Sequence, residues 1–123
     1  MTTTIVIRLI LSVGFAIGTA FHIVDVATHG WLPYRAAPPA INAFWTSLTL
    51  FDPLAILLLW WRPRYGLILA HVIMIADVLI NAYASIAIWH IPLVENGALL
   101  AQFLFLVFLA VTARFVWRRS VRS

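Results

Sequence analysis

The chain has 123 residues, 64% of them apolar and only 10% charged. A soluble domain carries about 25% charged residues, so this balance excludes a water-soluble globule and describes a membrane protein of one domain. All eight basic residues are arginine, set beside apolar segments as topology signals rather than as a nucleic-acid surface, and the lack of cysteine excludes disulfides, thiol redox chemistry and thiolate metal sites.

The first apolar stretch predicts a helix over about 4–27. Arg8 gives it some likeness to a signal peptide. The opening Met1-Thr-Thr-Thr is not basic, however, no small-x-small site follows, and the run is long enough to span, so it reads as a retained helix. Gly14 and Gly18 form a GxxxG spacing, with Ser12 and Ala16 also small. Such a stripe admits a close neighbour, either another helix of the same bundle or a homodimer partner. The end of this helix turns polar: His22, Asp25 and His29 stand at i, i+3 and i+7, near one face. Residues 30–39 are a loop broken by Gly30, Pro33 and Pro38-Pro39, with Trp31 and Tyr34 suited to a membrane interface.

A second helix, about 40–61, carries Trp45, a Thr46-Ser47-x-Thr49 cluster and Asp52-Pro53 near its centre. Pro53 removes a backbone hydrogen bond and predicts a kink, with the freed carbonyl near Thr49. A tight turn holding Arg62 and Arg64 leads to a third helix, about 65–89, with His71, Asp77, Asn81 and Tyr83. His90-Ile91-Pro92 ends it, and Glu95 and His90 belong to a solvated loop. The fourth helix, about 98–117, has Gln102 as its main polar residue, and 118–123 form a basic tail.

Four spans put Arg8, Arg62, Arg64, Arg114, Arg118, Arg119 and Arg122 on one side and Arg35 alone on the other. The positive-inside rule then places both termini in the cytoplasm of a bacterial inner-membrane protein. Three spans would destroy this asymmetry.

Depth makes the polar residues more informative. At ~1.5 Å rise per residue, Asp52 and Asp77 both lie roughly 15–18 Å from the outer boundary, near the midplane. His22, Asn81 and Gln102 come roughly 7–12 Å below the outer surface, Asp25 and His29 closer to it, and His71 in the cytoplasmic half. An ionisable group at the bilayer centre costs about 2.5–3.5 kcal/mol on insertion scales, which makes Asp77 and Asp52 functional-site candidates. His22-x2-Asp25-x3-His29 spans ~10 Å along the axis, too far for one metal ion. A bis-histidine haem would need His22 and His71, which lie at different depths. The residues therefore imply neither a metal nor another cofactor. Two chemistries remain open: a proton- or cation-coupled conduit, and a pocket for an apolar molecule with one polar end.

The order of features resembles the emopamil-binding protein and sigma-2 receptor group, which shares the EXPERA domain. Phe21-His22-x2-Asp25 with Gly30-Trp31, the mid-helix Pro53-Leu54, Arg62 followed by Asp77 and Tyr83, and Gln102 in the last helix are similar to that family's pattern. The second helix has Phe44 or Trp45 where the family has Glu, the last lacks its Asn-x-x-Trp pairing, and the first loop is short. The resemblance implies a bundle of four core helices around a cavity for sterol-like or cationic amphiphilic ligands. In members with a full acid pair it also implies double-bond isomerisation by proton transfer.

These readings converge on an all-α, integral membrane four-helix bundle. Its candidate proton-transfer or ligand-pairing groups are Asp77, Asp52, His22 and Asp25; its candidate ligand contacts are Trp45, Asn81, Gln102 and Tyr83. Its partners are the lipid bilayer and a hydrophobic small molecule, with no nucleic acid. A small proton- or ion-coupled transporter acting as an oligomer, and a structural accessory subunit, are the alternatives.

Overall fold

A computed structural model of the chain describes residues 2–122. Ser123 of the expected tail and the side chain of Arg122 lie outside the described residues. Four long helices follow one another: α1 (Thr3–His29), α2 (Pro39–Trp61), α3 (Pro63–Ala87) and α4 (Gly97–Arg122), with a 3-10 turn at Leu93–Glu95 before the last. All four are long and apolar enough to cross a membrane. The protein is thus an all-α membrane bundle.

Local chemistry sets the helix limits. Thr2 caps α1, its hydroxyl accepting from the Ile5 N–H at 3.3 Å. Pro39 and Pro63 open α2 and α3, where a missing N–H costs nothing. The third helix ends at Ala87, two residues before the predicted Trp89, because Ser85 draws the chain back. Its hydroxyl donates to the Ile91 carbonyl at 2.7 Å, and the Ile91 N–H donates to the Ser85 carbonyl at 2.7 Å. The expected tail from 118 is instead a continuation of α4: Arg118 and Arg119 are good helix formers, and no Gly or Pro stops the helix there. The second helix continues through Pro53.

Each helix packs on its neighbours in sequence and α4 closes against α1, while among the described residues the diagonal pairs do not meet. The α1–α4 seam is the loosest of the four. The core is a stripe at helical spacing: Ile7, Leu11 and Phe15 on α1, Leu48, Ala55 and Leu59 on α2, Leu67, Ala70 and Met74 on α3, Leu109 and Val116 on α4. Asp52 occupies a position of that stripe between Leu48 and Ala55, buried to 5% exposure. The outward faces carry Val13, Leu50, Leu57, Leu79 and Leu104, all exposed. Such a belt is unstable against water and comfortable in hydrocarbon.

The two ends of the bundle differ. At one, the Arg8 guanidinium lies over Trp60 at 5.6 Å, Trp60 donates its indole N–H to Ser12 at 2.9 Å, and Arg64 lies over Trp117 at 4.9 Å. This basic end collects the helix termini and the α2–α3 turn. At the other, Tyr34 of the α1–α2 loop and Trp89 of the α3–α4 connection both reach Trp45.

The tightest approach to backbone is at Gly66, where an added Cβ would overlap the backbone of Leu59 and Leu58 across the α2–α3 turn. Gly66→Ala is therefore expected to destabilise the protein by about 1–3 kcal/mol in equilibrium unfolding from detergent micelles. Gly97→Ala, which adds its methyl in open space, should leave the midpoint within about 0.5 kcal/mol.

Candidate functional site

Between the two connecting loops the bundle is hollow. A chamber of about 250 Å³ is lined by His22 and Asp25 from α1, Tyr34, Trp45 from α2, Asp77 and Asn81 from α3, Trp89, Asn96 and Gln102. Below it a second space of about 450 Å³ follows the loose α1–α4 seam, between Gly14, Gly18 and Phe21 on one side and Ala101, Gln102 and Phe105 on the other. Asp52, Met74 and Asp77 form its back wall. The two spaces share His22, Asp77, Ala98 and Gln102, so they make one stepped cleft. Ile17, Phe21 and Ala101 on its rim are exposed on the outer face of the bundle.

Two hydrogen-bond systems hold the upper chamber. The first centres on Asn81. Its carbonyl oxygen accepts from the Trp45 indole N–H at 2.7 Å; its amide donates to Gln102 Oε1 at 2.7 Å and to Asp77 Oδ1 at 3.1 Å. One side chain thus joins α2, α3 and α4. Asp77 and Asn81 stand at i and i+4 and so share a face. Trp45 is also stacked on Trp89, ring planes 4° apart and centroids 5.7 Å apart, and meets Tyr34 edge-on at 5.3 Å. It is a packing residue and a cavity wall at once.

The second system joins α1 to the first loop. Tyr34 donates its hydroxyl to Asp25 Oδ2 at 2.7 Å and lies 2.7 Å from His22 Nδ1. A phenol has one proton. With that proton on the bond to Asp25, the Tyr34 oxygen is an acceptor and His22 must present Nδ1–H to it. The unprotonated Nε2 then has no hydrogen-bond partner among the described residues. Burial, and next the hydrogen bond to Asp25, push the Tyr34 phenol above its ordinary value, so it stays a neutral bridge between acid and imidazole. The loop is held in turn by Asn42, which accepts from the Tyr34 N–H at 3.0 Å and donates to the Leu32 carbonyl at 3.0 Å. Leu32 adopts a left-handed φ of 54°, a strained choice for a leucine that the Asn42 bond helps to hold.

Asp52 differs from the other acids. It is 5% exposed and has no hydrogen-bond partner among the described residues. Its carboxylate faces Gly18, where a Cβ would come within 2.8 Å of Oδ2. Gly18 thus leaves the space into which the carboxylate projects. Gly14 serves Phe105 in the same way, since a Cβ there would overlap that ring. Both glycines of the GxxxG pair therefore face helices of the same chain.

Seven of the eight predicted site residues meet in the cleft: Asp77, Asp52, His22, Asp25, Trp45, Asn81 and Gln102. Tyr83 does not. It is 56% exposed on the outer face of α3, because two residues beyond Asn81 is a turn of roughly 200° about the axis. Among the histidines left aside, His71 lies towards the basic end with Nδ1 2.7 Å from the Leu67 carbonyl, and His29 and His90 are exposed. Tyr34, Trp89, Asn96 and Asn42 are site or supporting residues that sequence reasoning did not select. The one available sign was Asn42, an amide inside the first turns of an apolar helix. Among the described residues no cluster of three His, Asp or Glu side chains is arranged to hold a metal ion.

Comparison of the chain with protein-family models, with curated proteins and with solved structures finds no match.

Tyr34→Phe keeps the ring and removes the bridge, leaving His22 and Asp25 unpaired in a part-buried site. It should cost about 1–3 kcal/mol of stability. Asn81→Leu, which breaks three interhelical or intrahelical bonds worth about 0.6 kcal/mol each in membranes, should cost about 2 kcal/mol. Tyr83→Phe, on the lipid-facing surface, should leave the unfolding midpoint unchanged in the same assay.

Proposed function

We propose that the protein binds a hydrophobic or amphiphilic small molecule in the stepped cleft, with the molecule's polar end at the carboxylates and its apolar body in the α1–α4 seam. The observation that carries this reading is Asp52. A carboxylate in an apolar core stripe, without a hydrogen-bond partner among the described residues, is costly unless something completes it. It stands on the back wall of a space large enough for a small molecule and rimmed by residues that reach the bundle surface. A membrane-dissolved ligand would therefore arrive sideways from the lipid. A hydrogen-bond donor or cation on its polar end would satisfy Asp52 and Asp77 together.

The resemblance to the EXPERA group agrees with this reading at His22, Asp25, Asp77 and Gln102, which line one chamber. Isomerase-like proton transfer is its extension. The Asp25–Tyr34–His22 chain would hold an imidazole with a free Nε2 beside the ligand, and Asp77 would face it across the chamber. The reading of a coupled transporter has less support. Beneath Asp52 the interior is filled by Leu11, Leu59, Leu67 and Leu109, each fully buried, and no buried polar residue continues the cleft towards the basic end among the described residues around them. The accessory-subunit reading accounts for the Asn81 network and leaves Asp52 unexplained.

The positive-inside rule puts the basic end, with both helix termini, in the cytoplasm and the polar chamber in the outer half of a bacterial inner membrane. A homodimer, if formed, would use a surface other than Gly14 and Gly18, which already face Phe105 and Asp52.

Mass analysis of protein released from a mild detergent should find a co-purified hydrophobic molecule with the wild type. Asp52→Asn should retain about tenfold less of it, the loss of one charge-assisted contact. Wild-type protein that is folded, empty and unable to take up any amphiphile would sink the proposal.

A further inference from the structure

The basic end has a chemistry of its own. All four acidic residues of the chain, Asp25, Asp52, Asp77 and Glu95, belong to the cleft or to the α3–α4 connection. The basic end carries Arg8, Arg62, Arg64, Arg114, Arg118 and Arg119, and none of them is paired with a carboxylate among the described residues. Four of these guanidiniums rest instead on aromatic rings: Arg8 on Trp60, Arg62 on Trp61, Arg64 on Trp117 and Arg114 on Phe115. Ring faces orient a cation without neutralising it. No described residue of the chain balances the positive charge at this end.

A groove on the same end is shaped to receive what balances it. It runs between α3 and α4 with a volume of about 520 Å³. Ile68 and Val72 on one side, with His71 between them, and Ala113 on the other line its length, with Trp117 and Arg118 at its basic end and Arg114 one helical turn further in. On each helix the lining residues follow an i, i+1, i+4, i+5 pattern (67, 68, 71 and 72; 113, 114, 117 and 118), so the groove runs along the bundle axis, from the interfacial arginines towards the membrane interior. Ile68 and Val72 are exposed, and no described residue covers them.

We propose that this groove is a binding site for an anionic phospholipid. The phosphate and headgroup charge sit between Arg114 and Arg118, Trp117 packs at headgroup level, and one acyl chain lies along Ile68, Val72 and Ala113. Arginine suits the phosphate because its planar fork can make two parallel hydrogen bonds to phosphate oxygens. A free phosphate ion would leave the apolar length of the groove uncovered, and a zwitterionic lipid would fill the length without balancing the charge. The site is independent of the cleft around Asp52: the two share no lining residue.

The test is native mass spectrometry of the full chain in detergent, titrated with phosphatidylglycerol or with phosphatidylcholine of the same acyl chains. An arginine near an anionic lipid surface is worth about fivefold in affinity. Wild-type protein should therefore retain phosphatidylglycerol about 25-fold better than phosphatidylcholine. Arg114→Gln or Arg118→Gln alone should reduce the preference about fivefold, and the double variant should abolish it. Arg118→Lys, which keeps the charge, should retain most of the preference, and Arg35→Gln at the opposite end should retain all of it. Equal retention of the two lipids by wild type would overturn the proposal. So would a preference that survives the double variant, or one that falls as much in Arg35→Gln as in Arg118→Gln.

Discussion

Asn81 ties α2, α3 and α4 together through one side-chain amide: to Trp45, to Asp77 and to Gln102. In hydrocarbon the hydrophobic effect cannot select one arrangement of helices, because lipid is as apolar as leucine; interhelical hydrogen bonds and close packing must do so. The amide fixes the register of three helices, and that register carries Trp45 under Trp89 and Tyr34. From there Tyr34 reaches back to His22 and Asp25 on α1. The fourth helix contact is thus made through the loop, and the α1–α4 seam itself is left loose. The cleft is a consequence: three helix pairs are locked and the fourth is held apart at the end opposite the arginines.

Asp52 has meaning within that frame. The other acids are held by partners within the chain or exposed: Asp25 by Tyr34, Asp77 by Asn81, Glu95 on the surface. Asp52 replaces a core residue on the stripe that includes Leu48 and Ala55, and Gly18 opposite gives it room. A bundle selected for stability alone would have an apolar residue there. The polar chamber and the unpartnered carboxylate are the observations on which the proposed ligand site rests, and the arginine–aromatic pairs of the basic end are the ones on which the proposed lipid site rests.

Much of this was legible in the sequence because polar residues stand out in apolar runs. His22, Asp25, Asp52, Asp77, Asn81 and Gln102 were each conspicuous, and rise per residue alone was enough to place them at compatible depths. The helix count and the two ends followed from the arginine pattern. Tyr34 and Trp89 were not legible as site residues. An aromatic at a helix end normally marks the interface, and the depth of a loop residue does not follow from a helical rise. Their inward placement depends on contacts distant in sequence: Asn42 clamps the first loop, and the paired Ser85–Ile91 bonds fold back the connection after α3. Tyr83 was misplaced for a simpler reason: an ordering of features carries no angle, and the angle puts it on the lipid side.

The central claim is that a membrane-dissolved molecule occupies the α1–α4 seam and ends at Asp52. Photolabelling with a long-chain alkylamine carrying a diazirine on its chain tests this directly. The account predicts labels on residues 14–22 of α1 and 98–105 of α4, competed by unlabelled alkylamine and weakened in Asp52→Asn. Labels spread evenly over outward residues such as Val13, Leu79 and Leu104, insensitive to competitor and to the substitution, would contradict it.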